Sequence, residues 1–163
     1  MSGAVVASGS KAVLVVETHS AEETVALGRK LAKELEPPCL VLLEGELGSG
    51  KTTLVKGIVV GLGVASEDEV TSPSFTLVHE YGGSTPRPAE AAGGKVYHVD
   101  LYRIEHPREI ETLGLEDLMA QQATVIVEWG EKLGDRSLPP QLRIRVEHLG
   151  REDRRIIIER VGG

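Results

Sequence analysis

Residues Gly45–Thr52 read GELGSGKT, a complete match to the pattern G-x-x-x-x-G-K-[ST]. This string constrains the fold because it works at one kind of junction, where a buried strand turns into the start of a helix. Its flanks have that character. Cys39–Leu43, CLVLL, is an apolar run of strand length. From Lys51 onward Leu54, Val55, Ile58, Val59 and Leu62 fall on one helical face, and Gly61 and Gly63 suit its end. Glycines at Gly45, Gly48 and Gly50 let the backbone curl so that successive N–H groups converge. The opening helix adds the positive end of its dipole. Such a cradle suits phosphate oxygens. Lys51 brings a point charge to the outer phosphates, and Thr52 a hydroxyl to a magnesium ion, which takes oxygen ligands and stays partly hydrated. The expected ligands are a nucleoside triphosphate and Mg2+. The residues expected to touch them are Leu47, Gly48, Ser49, Gly50, Lys51, Thr52 and Thr53.

The rest of the chain supplies a sheet for this junction. Ala12–Glu17 reads as a first strand, and Ser20 with Glu23 as a reciprocal cap on a helix carrying Leu27, Leu31 and Leu35, which Pro37-Pro38 stops. Phe75–Tyr81 and Lys95–Leu101 read as two strands, with a Gly-, Pro- and Ala-rich segment, 82–94, expected to be mobile between them. Pro107 opens a helix ending near Gly114, and a short helix covers Glu116–Ala120. Ala123–Val127 is a buried strand. Leu142, Ile144 and Val146 alternate with polar residues and are followed by Ile156–Glu159, a hairpin. Strands alternating with helices imply one α/β domain over 11–163, three-layered, with a mixed, mainly parallel sheet and a C-terminal β-hairpin: the P-loop NTPase fold.

Composition excludes several classes. At 163 residues the chain fits one domain, and with 3% aromatics its core must be built from Val, Ile and Leu. A net charge of −7 argues against a chain that grips a DNA or RNA backbone by itself; the basic cluster near Arg151–Arg155 is interrupted by acids. The single Cys39 sits in an apolar run and reads as core, which suits a reducing compartment. No apolar run reaches the ~18 residues of a membrane span. The opening MSGAVVASGS lacks the basic start of a secretory signal, so 1–10 reads as a flexible tail and the cytoplasm as the expected compartment.

A phosphate-binding loop needs an acid to manage magnesium and a group to orient a nucleophile. In ATVIVEW the strand finishes at Glu128; in VYHVDLYR, Asp100 interrupts an apolar run. Each is a candidate for the site, against the plainer alternative of a surface ion pair with Arg103 or Lys132. Lys51, Asp100 and Glu128 are the catalytic candidates, and Thr52 with Glu128 the metal ligands. TSPSFT, Thr71–Thr76, concentrates hydroxyls, Ser74 among them, in either an ordinary loop or a segment that closes over a terminal phosphate. Trp129 is the only tryptophan and adjoins Glu128. His79 and His98 show no metal-ligand spacing and read as structural.

GELGSGKTT, TSPSFTLVHEY, YHVDLYR, an acidic helix with LGLEDL, and VIVEWGEKL occur in that order over roughly Thr18–Pro139. Together they resemble the TsaE family, the small ATPases of bacterial threonylcarbamoyladenosine synthesis in tRNA. The resemblance implies ATP and ADP as the nucleotides and TsaD and TsaB as protein partners. tRNA would be engaged only through that complex, with no membrane or DNA role. It implies that Thr52 and Glu128 hold magnesium, that Asp100 is needed for hydrolysis, that Thr71–Thr76 responds to nucleotide, and that Thr18–Ala21, Ala21 included, lies beside the adenosine. Two departures from the family are the longer 82–94 segment and a hairpin beyond Pro140 that matches in general character only.

Two other functions fit a phosphate-binding loop. A small-molecule kinase would need lid arginines, and 82–94 offers only Arg87. A non-catalytic nucleotide switch would use the same Thr71–Thr76 segment. No N-K-x-D string is present to read guanine.

Overall fold

The computed structural model describes residues 2–8, 11–46, 48–71, 77–82, 94–133 and 140–161, with side chains from residue 13 onward. The strands are β1 (Ser2–Ser8), β2 (Lys11–Thr18), β3 (Cys39–Glu44), β4 (Val78–Tyr81), β5 (Val96–Asp100), β6 (Thr124–Glu128), β7 (Leu142–Gly150) and β8 (Asp153–Arg160). The helices are α1 (Ala21–Ala32), α2 (Lys51–Gly61), α3 (Pro107–Leu113) and α4 (Leu115–Met119), with 3-10 turns at Glu67–Glu69 and Gly130–Leu133.

All eight strands join one sheet in the order β1-β2-β8-β7-β3-β6-β5-β4. The central β7, β3, β6 and β5 run parallel, and the strands on both flanks are antiparallel. The mixed sheet and the C-terminal hairpin agree with expectation. A period of two divides the core. Cys39, Val41 and Leu43 of β3 pack with α1 and α2, whereas Leu40 and Leu42 pack with Ile110 and Leu115 of α3 and α4. That makes three layers, with β3 and its loop at the centre.

Local chemistry explains the ends. Ser20 Oγ accepts from the Glu23 N–H at 3.1 Å, but the Glu23 carboxylate reaches back to the His19 N–H, at 2.7 Å, rather than to Ser20. Glu22 and Glu23 sit at the positive end of α1, and Arg29 and Lys30 at the negative end. Leu27, Leu31 and Leu35 are buried as their spacing predicts, and Cys39 is buried in the core with its Sγ 3.5 Å from Thr124 Oγ1.

Part of the stretch expected to be a tail is a strand. Ser2–Ser8 pairs antiparallel with β2, from Ser2 opposite Glu17 to Ser8 opposite Lys11. Without β1, β2 would be held by β8 on one side only and its other edge would present unpaired N–H and C=O groups. A segment with adjacent valines, Val5 and Val6, satisfies them. Residues 83–93 of the segment expected to be mobile, and residues 72–76 of TSPSFT with Ser74, lie outside the described residues, as does Leu47. Among the described residues, no helix is long and apolar enough to cross a membrane.

Candidate functional site

The loop after β3 ends at Gly50, whose φ of 109° caps α2 in the left-handed region that favours glycine. A Cβ there would also stand 3.2 Å from Arg154 Nε, so the glycine lets β8 approach the loop closely. The next residue, Lys51, is 4% exposed, and its ammonium donates to the carbonyls of Gly45 and Glu46, the latter at 2.9 Å. Burial holds its pKa below that of an ordinary lysine, against the attraction of Glu128, Glu131 and Asp100. The Lys51 ammonium also lies 4.2 Å from the centre of the Trp129 ring.

Glu128 closes the floor. It ends β6, is 3% exposed, and accepts the Thr52 hydroxyl at 3.1 Å on Oε1 and 3.0 Å on Oε2. Asp100 ends β5, the neighbouring parallel strand, in register with Glu128. It is 4% exposed and accepts the Tyr102 N–H at 2.9 Å, which fixes the turn leaving the strand. The two acids therefore stand side by side at the carboxyl edge of the sheet, where parallel α/β sheets place their ligands.

A cleft of about 450 Å³ joins these parts. It is lined by Gly48, Gly50, Lys51, Thr52 and Thr53 from the loop and α2, by Asp100, Tyr102 and Arg103 after β5, by Glu128 and Trp129, and by Arg154. Most of the residues expected from the sequence thus meet in one place. Ser49 does not; it is buried on the far side of the loop, beside a second cavity with Glu44, Glu46, Glu131 and Arg145. Ala21 lines a small recess with Thr24, Thr53, Glu152 and Arg154, adjoining the cleft through Gly50 and Thr53. Arg103 is exposed at the rim, and Lys132 donates to the carbonyls of Tyr102 and Ile104 instead of pairing with either acid.

The cleft's donor set suits magnesium. Among the described residues there is no group of three or more His, Cys, Asp and Glu that could hold a metal. Thr52 and Glu128 place one hydroxyl and one carboxylate together beside the glycine-rich loop, a pair that could hold an ion whose other positions are filled from outside the protein.

Sequence reasoning gives no site role to Arg154 or His98, and notes Trp129 only as the neighbour of Glu128. Arg154 reaches the loop only because antiparallel pairing returns the start of β8 to this edge. Trp129 adopts φ 62°, a left-handed conformation uncommon for a large side chain, and its ring packs 5.2 Å from that of Tyr102. His98, expected to be merely structural, places Nε2 2.5 Å from Glu128 Oε2. Its signal was available: His98 lies two residues before Asp100 on a strand, hence on the same face.

Comparison with known proteins finds relatives over most of the chain. Residues 18–157 match the family model of the threonylcarbamoyl adenosine biosynthesis protein TsaE. The chain is 36% identical over 146 residues to the tRNA threonylcarbamoyladenosine biosynthesis protein TsaE of Bacillus subtilis (strain 168), an alignment covering 89% of this chain and 84% of that one. It is 40% identical over 122 residues to the protein of the same name from Streptomyces coelicolor, covering 74% and 76%. The crystal structure of Bacillus subtilis YdiB superposes with a TM-score of 0.68 at 32% identity, covering 95% of this chain and 90% of that one.

Proposed function

Since the chain belongs to the family of the threonylcarbamoyl adenosine biosynthesis protein TsaE, we propose that it is a magnesium-dependent ATPase serving threonylcarbamoyladenosine modification of tRNA through a TsaB–TsaD complex. The observation that carries the ATPase reading is the Glu128 carboxylate bonded to the Thr52 hydroxyl at the start of α2, with Asp100 beside it in register.

Each group has a task in that reading. The loop amides and the α2 N-terminus receive the β- and γ-phosphates. Lys51 exchanges its carbonyl acceptors for phosphate oxygens, an exchange favoured because burial makes the lone ammonium costly. Thr52 and Glu128 hold magnesium, which supplies neutralisation of the charge on the phosphate oxygens. Asp100 orients the attacking water, which displaces ADP from the γ-phosphorus and leaves inorganic phosphate and a proton. Trp129 and Tyr102 wall the cleft and limit access of bulk water.

The net charge of −7 accords with docking on a protein complex rather than on tRNA itself. In this account hydrolysis resets the partner complex between rounds, and transfer of the threonylcarbamoyl group takes place elsewhere. Phosphate release from magnesium-ATP, measured alone and after adding TsaB–TsaD, tests it. Slow release alone and strong stimulation by the partners is the expected result. Tight ATP binding with no stimulation would refute the partner assignment and leave a nucleotide switch; a phosphorylated metabolite in place of free phosphate would make the protein a kinase.

A further inference from the structure

β5 alternates its side chains across the sheet. Tyr97 and Val99 enter the core under α3 and α4, whereas Val96 faces α1 and α2, and His98 and Asp100 follow it on that side. His98 is fully buried, and its Nε2 lies 2.5 Å from Glu128 Oε2. An ionised carboxylate only accepts, so the ring proton belongs on Nε2. The other nitrogen, Nδ1, is buried with no hydrogen-bond partner among the described residues.

An imidazole with one nitrogen orphaned is a poor way to fill a core; an apolar side chain would occupy the space without the loss. Among the described residues the ring's one hydrogen bond goes to Glu128. His79 stands behind it, edge-on, with ring centroids 6.4 Å apart. Glu128 has about four acceptor directions. The imidazole takes one on Oε2, the Thr52 hydroxyl reaches both oxygens, and the rest of the carboxylate faces the cleft. Glu128 is the last residue of its strand, and a side chain there with a single tether could swing away from the loop.

We propose that His98 is a positioning residue, which fixes the Glu128 carboxylate in the orientation that binds magnesium. The inference rests on the magnesium-nucleotide reading of the cleft. It assigns a role in metal affinity, with no direct contact between His98 and the nucleotide.

Trp129, the only tryptophan, lies against Lys51 and provides an optical probe. The experiment is a Mg2+ titration of the ADP-loaded protein by tryptophan fluorescence, beside ADP binding in EDTA. His98→Gln carries its amide nitrogen about as far from Cβ as Nε2, whereas His98→Asn carries it only as far as Nδ1. His98→Asn should weaken Mg2+ about tenfold or more, as removal of a partner behind a metal ligand does. His98→Gln should stay within about threefold of the parent, and metal-free ADP binding should hold in both. In a Glu128→Gln background, His98→Asn should add no further loss. Should the Asn variant not fold, His98→Leu in the same assay carries the same outcomes. Equal Mg2+ affinity in Asn variant and parent, equal losses in the Gln and Asn variants, or a full loss persisting beside Glu128→Gln would each overturn the proposal. A parent that binds ADP but shows no Mg2+ dependence would refute the magnesium reading itself, and this inference with it.

Discussion

Replacing Gly57 with alanine should destabilise the protein, although intrinsic helix preference points the other way. Gly57 lies within α2, where alanine is favoured over glycine by about 1 kcal/mol. A Cβ at Gly57 would stand 2.1 Å from the carbonyl oxygen of Val25 and 2.9 Å from Gly28 Cα, both backbone atoms of α1. Ordinary contact begins near 3.4 Å, so the helices must part by about 1 Å. Neither atom can rotate away. Overpacking of this kind costs about 1–3 kcal/mol, and more where the obstacle is backbone. Set against the propensity gain, the net loss is about 2 kcal/mol. For a domain of this length that lowers Tm by about 4–8 °C. Gly61→Ala should cost less, because its nearest obstacle is the Ala32 methyl at 2.8 Å. Differential scanning calorimetry of the three proteins provides the check. A higher Tm for Gly57→Ala than for the parent would show that α1 and α2 do not meet this closely and would refute the packing argument.

Asp100→Asn should keep the fold and nucleotide binding but slow phosphate release by about 10²-fold, since Asn can still accept the Tyr102 N–H at the turn while Asp100 is assigned the water; single-turnover assays beside binding measurements separate the two. His79 is held below the usual histidine pKa by burial, with the neighbouring His98 adding to the effect. The unfolded chain therefore takes up a proton before the folded one does. This contribution is complete above about pH 6.5 and erodes as pH falls below it. His79→Gln should flatten that part of the Tm–pH curve, and an NMR midpoint for His79 above 6.5 would contradict the sign. The bidentate Arg160–Glu34 contact, at 2.6 and 2.8 Å, lowers the Glu34 pKa. What it contributes is present above about pH 4.5 and lost as pH falls through the lowered value. Because the pair is more than a third exposed, Glu34→Gln should cost under about 1 kcal/mol by chemical denaturation.

How much of this was legible in the sequence depends on the range of the forces involved. The β3–loop–α2 junction was legible because its parts are local: an apolar run, glycines at fixed offsets and one helical face. Glu128 and Asp100 were each recognisable at a strand end. That they stand in register was not, since β5 and β6 are joined through α3 and α4 and their alignment is a property of the sheet. Arg154 was hidden for the same reason; a turn at the far end of the hairpin brings it to Gly50. The strand Ser2–Ser8 reads as a tail until the open edge of β2 is known. His98 shows no metal-ligand spacing in the sequence; its place follows from alternation along β5 and from the acid on the next strand. Even the Ser20 cap was right in kind and displaced in detail, with Glu23 turning to His19.

The central claim is that the loop at Gly45–Thr52, with Glu128 behind it, is a site for magnesium-ATP. Isothermal titration of ATP with and without Mg2+ into the parent protein and into Lys51→Ala tests it most directly. The account predicts one site in the parent, tighter with Mg2+ than without, and a loss of at least about tenfold in the variant, whose missing ammonium carries a charge-assisted contact. Equal affinity in the two proteins, or no binding in either, would contradict it.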